Sequence, residues 1–85
     1  MTTTRHFARP LCLQEALQVR RHGGPETATK FFEECMESFH RKAVDRWIVQ
    51  TGHPLAMTPC TQQSRFVRLI EDLHGKEAEA CRAHE

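Results

Sequence analysis

Residues 25–50 read PETATKFFEECMESFHRKAVDRWIVQ, and the pattern of this stretch decides the fold. Ala28, Phe32, Cys35, Met36, Phe39 and Ala43 recur at steps of three and four, which lays one apolar stripe along an α-helix. Lys30, Glu33, Glu34, Glu37, Arg41 and Asp45 take the other side, with Glu37 and Arg41 at i,i+4 in the favourable order. Pro25 and Glu26 suit a first turn, and Thr51-Gly52-His53-Pro54 ends the run because proline disfavours a helical residue before it. The expectation is one long central helix, with Phe39 at the centre of its buried stripe.

Working outward, a shorter helix opens at Pro10 and carries Cys12, Leu13, Ala16, Leu17 and Val19 on one broad face. Arg20, Arg21 and His22 fall in its last turn, where cations suit the helix dipole, and Gly23-Gly24 ends it. On the other side, Thr58-Pro59 reads as an N-cap and first-turn proline for a third helix. That helix presents Phe66, Leu69, Ile70 and Leu73, with Val67 at the margin and Arg68 paired to Asp72 at i,i+4. Gly75 is expected to end its well-packed part. No stretch alternates in the strand period. The expected architecture is all-α: a flexible N-terminal arm over residues 1–9, a three-helix domain over 10–75, and a helical or frayed tail over 76–85.

Eighty-five residues allow one domain at most, and a domain this small buries only roughly 60% of its unfolded surface. Twelve Lys and Arg against eleven Asp and Glu give a net charge of +1, which excludes a histone-like polycation or an acidic nucleic-acid mimic. No apolar run approaches the ~20 residues of a membrane span, and the Met-Thr-Thr-Thr-Arg start has no apolar signal core. Cys12, Cys35, Cys60 and Cys81 are widely spaced and form no Cys-x-x-Cys pair. The expected location is therefore the cytoplasm, with reduced thiols packed as small hydrophobes.

One feature exceeds the central stripe. Val44 and Ile48, with Trp47 between them, lie about 100° or more from the line of Phe32 and Phe39, and Phe31 and Val49 project from the other edge. A helix that is apolar nearly all round must be covered on more than one side. The first and third helices can wrap it from within the chain, or part of it meets a second chain. On the latter reading Phe31, Val44, Trp47 and Ile48 are candidate protein-interface residues, facing an identical copy or a larger target. Tryptophan is also enriched at interface hot spots.

Catalytic chemistry finds little footing. Gly23-Gly24 lacks the following Lys-Ser/Thr of a phosphate loop, and the six histidines show no zinc-helix spacing. Cys81-x-x-His84, joined by His53 or His22, is the nearest approach to a metal site, and solvated terminal residues explain it better. His40 reads as a half-exposed side chain. No enzyme activity, cofactor, metal or small-molecule substrate is expected. Nucleic acid is the alternative partner: the first 24 residues hold Arg5, Arg9, Arg20 and Arg21 against Glu15, a net of +3, whereas the other 61 residues have eight cations against ten anions. The function expected first is a self-associating helical protein-interaction module that inhibits or regulates a larger partner stoichiometrically. Accessory proteins of phages and mobile elements are a large source of such chains. The alternative is a nucleic-acid-binding transcriptional regulator using the basic N-terminal end.

Overall fold

The computed structural model describes residues 8–83 and is all-helical: α1 (Leu11–Glu34), α2 (Ser38–Gln50), a 3₁₀ turn (Pro54–Met57) and α3 (Gln62–Ala83). The three-helix, all-α expectation holds. The boundaries differ in one place that matters: residues 25–50 do not form a single helix.

α1 itself is two helical arms joined at Gly24, whose φ of 84° and ψ of 179° lie in a region only glycine enters freely. Gly23 is required for a second reason, since a Cβ there would come within 2.8 Å of the Thr27 side chain. Thr27 Oγ1 donates to the Gly23 carbonyl at 2.7 Å, serving an acceptor that the turn strips from the ladder. Pro25 then starts the second arm. The arms fold back on each other, because Leu11 and Cys12 line the same groove as Phe31 and Cys35. A straight 24-residue helix would hold these ends about 35 Å apart.

The second interruption falls at residues 35–37. Arg41, reaching back from α2, donates from Nη2 to the carbonyls of Phe32 at 2.8 Å and Glu33 at 3.3 Å, and from Nε to that of Met36 at 3.1 Å. Its guanidinium also lies 4.3 Å from the centre of the Phe32 ring. Glu37 caps α2 instead of pairing with Arg41, in a reciprocal box with His40 whose Nδ1 accepts the Glu37 N–H at 3.4 Å.

This break accounts for the surplus apolar patch. Continued as one helix, the buried line of Ala28, Phe32 and Met36 and that of Val44, Trp47 and Ile48 sit about 110° apart. Redirected at residues 35–37, both lines enter one core together with Leu13, Ala16, Leu17, Phe66, Leu69, Ile70 and Leu73. Phe39, expected in that core, is 61% exposed, because the new helix begins beside it and turns it outward. Cys35 is exposed and Ala43 only half-buried.

α2 ends as expected at Gly52 (φ 70°), with the amides of Gly52 and His53 bonded to the carbonyls of Val49 and Ile48. His53 then caps the 3₁₀ turn, its Nδ1 accepting from the Leu55 amide at 3.1 Å while Nε2 meets Asp72 at 3.0 Å. Asp72 therefore pairs with His53 and Lys76, not with Arg68. The His53 hydrogen bond, with Lys76 helping, holds the Asp72 carboxyl below its ordinary pKa. α3 starts at Gln62 and not at Pro59: the 3₁₀ turn takes up the connector, and Thr61 Oγ1 accepts from the Ser64 amide at 3.1 Å. Phe66 meets Phe32 with ring centroids 4.6 Å apart. The helix passes through Gly75 and remains helical to Ala83, its Glu77 and Ala78 half-buried against α1.

Candidate interaction surface

The two residue sets singled out from the sequence meet opposite fates. Val44, Trp47 and Ile48 are 2%, 8% and 1% exposed, so this chain covers them without a second copy. Their reading as a free interface is corrected: α2 turns them inward. Phe31 alone of that set stays half-exposed at the core margin.

The basic set is occupied as well. Arg20 Nε lies 2.6 Å from Glu71, Arg9 Nη1 lies 3.0 Å from one Glu77 oxygen, and Arg21 Nη2 lies 3.3 Å from the other. Arg20 and Arg21 of α1, and Arg9 just before it, instead reach α3 across 51 to 68 residues of sequence. Arg5 lies outside the described residues, as does most of the arm expected over residues 1–9.

The uncovered apolar surface lies elsewhere. Leu11, Cys12, Glu15, Phe31, Cys35, Met36 and His40 line a groove of about 350 Å³ where the two ends of α1 meet the start of α2. Leu11 is 77% exposed at its rim. His40 carries the surface onward, since its ring lies tilted against Phe39 with centroids 4.0 Å apart. From Phe39 an outward strip runs along α2 through Lys42 and Arg46 to Val49, itself 66% exposed.

The sequence signal for this strip was present. Phe39, Lys42, Arg46 and Val49 also recur at three and four; Val49 reads as an edge residue, but a single unbroken helix places Phe39 on the buried line and so separates the two.

The groove has little of a reactive centre. Burial pushes the Cys12 thiol pKa up, away from the thiolate a nucleophile or metal ligand needs, and its Sγ faces the His40 carbonyl at 3.7 Å. Cys12 is half-buried and packs against the core, Cys60 is half-buried, and Cys35 and Cys81 are exposed; all four are free. Among the described residues no group of three His, Cys, Asp or Glu side chains could hold a metal ion, and His84 of the Cys81 pair lies outside them. His53 has both ring nitrogens engaged in holding the connector to α3. No described helix is long and apolar enough to cross a membrane. What the surface offers is shape, apolar area and, at Lys42 and Arg46, positive charge that holds no ion pair among the described residues. No protein-family model, curated protein or solved structure matches this chain.

Proposed function

We propose that this chain is a small helical protein-binding module that acts stoichiometrically on a larger protein, in the manner of an inhibitor or regulator, and without catalytic turnover. The observation that carries the reading is Phe39. An aromatic side chain left 61% exposed contributes little to its own fold, and it stands where the α1 groove and the α2 strip meet. Exposed aromatics of this kind anchor interfaces when a partner desolvates them. The surface is relocated from the one expected from the sequence, yet the class of function is the same. Its free thiols fit a reducing cytoplasm, and a phage or mobile-element accessory role suits its size.

A nucleic-acid regulator working through Arg9, Arg20 and Arg21 draws less support. Each is already paired with a carboxylate, so phosphate binding would have to displace Glu71 and Glu77.

Photo-crosslinking in the native cells tests the reading. A benzoyl-phenylalanine at position 39 should trap one protein, and the same group at the exposed Gln63 should not. Nucleic acid trapped instead, equal trapping from both positions, or no adduct would refute it.

A further inference from the structure

We infer that the outer face of α2 docks an acidic amphipathic helix of another protein; the inference rests on the protein-binding reading above and specifies the partner. α2 has two distinct faces. Val44, Trp47 and Ile48 point into the core, and Phe39, Lys42, Arg46 and Val49 occupy an arc of about 80° on the opposite side. Along the axis the four span about 15 Å, three turns of a partner helix.

The charge on this strip is what selects the partner. Arg9, Arg20, Arg21, Arg65 and Lys76 each face a carboxylate, whereas Lys42, Arg46, Lys30 and Arg68 hold no ion pair among the described residues. Of these four, Lys42 and Arg46 stand one turn apart on one helix face, and Lys30 and Arg68 stand singly on α1 and α3. The remaining charged neighbours on α2 are turned away. Arg41 is committed to the carbonyls that end α1, and Asp45 bonds Gln62 at 2.8 Å and Arg65 at 3.3 Å. Two unpaired cations thus sit between two exposed apolar side chains, Phe39 at one end and Val49 at the other. The complement is a helix with two carboxylates at its middle and an apolar residue about one turn to either side. Apolar ends supply contact area, and central charge sets orientation and excludes wrong partners.

Other occupants fit less well. Two copies of the strip packed antiparallel would set Lys42 beside Arg46 of the second copy, a like-charge contact that costs affinity. A nucleic-acid backbone would use two cations at most and strand Phe39 and Val49 against phosphates.

The test is a phage-displayed library of amphipathic helical peptides with fixed apolar positions and central positions varied among Glu, Gln and Lys, selected on the full chain. Glu should be enriched at the central positions. By fluorescence anisotropy, the selected peptides should bind Lys42→Glu/Arg46→Glu at least tenfold more weakly, and Lys-centred peptides should regain affinity for that variant. Circular dichroism checks its fold, with Lys42→Gln/Arg46→Gln as the milder second variant. Enrichment of Gln or Lys, absence of any binder, or binding indifferent to both variants overturns the acidic-helix inference. A random-sequence DNA duplex bound more tightly than the peptides, or dimerisation in sedimentation that is lost in Phe39→Ala, overturns it too. If these results fail while position 39 still traps a protein in cells, the partner chemistry is wrong and the protein-binding reading stands. If position 39 traps no protein, that reading falls whatever the peptides do.

Discussion

The α1–α3 seam and the outer face of α2 carry similar residues and use them in opposite ways. In the seam, Arg9, Arg20 and Arg21 are drawn onto Glu71 and Glu77, and the apolar side chains beneath them are closed off. On α2, Lys42 and Arg46 point to solvent between Phe39 and Val49. Counting arginines along the chain selects the seam as the binding surface. Pairing the cations in space leaves Lys42 and Arg46 one turn apart on α2, and Lys30 and Arg68 singly elsewhere. A cation is informative about a partner only after the chain's own carboxylates have been satisfied.

The largest effect that sharpens this comparison lies under the seam. Phe66→Ala removes a 2%-exposed ring packed at a tilt against Phe32 and should cost about 3–5 kcal/mol in urea denaturation. Gly24→Ala forces a side chain into a conformation only glycine takes freely, at about 1–3 kcal/mol. Arg41→Ala leaves the α1 carbonyls of Phe32 and Glu33 without their charged donor, at about 1–3 kcal/mol, and hydrogen exchange near residues 35–37 should quicken. Arg41→Lys should recover only part, because a single ammonium cannot reproduce the fork.

The seam ion pairs are partly exposed, so an Arg20→Ala and Glu71→Ala double-mutant cycle should give a coupling of about 1 kcal/mol or less. Smallest is the pH dependence at Asp72. Its folded pKa is lowered, so its contribution is present above the ordinary carboxylate range and is lost as pH falls through the folded value. Asp72→Asn should therefore flatten the acid side of the stability profile. An unchanged acid limb would show that the pair with His53 carries no weight in folding.

How much of this was legible depends on where each signal lies. The α3 stripe of Phe66, Leu69, Ile70 and Leu73 was readable because one helix keeps one phase. The turn at Gly23-Gly24 was readable because glycine is its own evidence. The break at residues 35–37 was not, since no glycine or proline marks it. Its stabiliser, Arg41, acts on carbonyls up to nine residues earlier. A signal did exist: the buried line rotates by about 110° across the break. Read as one helix, that rotation looks like a second face and so like an interface. The arginine pairs were out of reach for another reason, since partners 51 to 68 residues apart leave no local pattern.

α2 turns Trp47 inward and Phe39 outward. Urea denaturation of Trp47→Ala and Phe39→Ala, at two protein concentrations, tests it most directly. Trp47→Ala should lose about 3–5 kcal/mol at both concentrations, as large-to-small core changes do. Phe39→Ala should stay within about 0.5 kcal/mol of the parent, as surface changes do. The opposite order, a Phe39→Ala chain that unfolds while Trp47→Ala keeps its stability, would contradict the account.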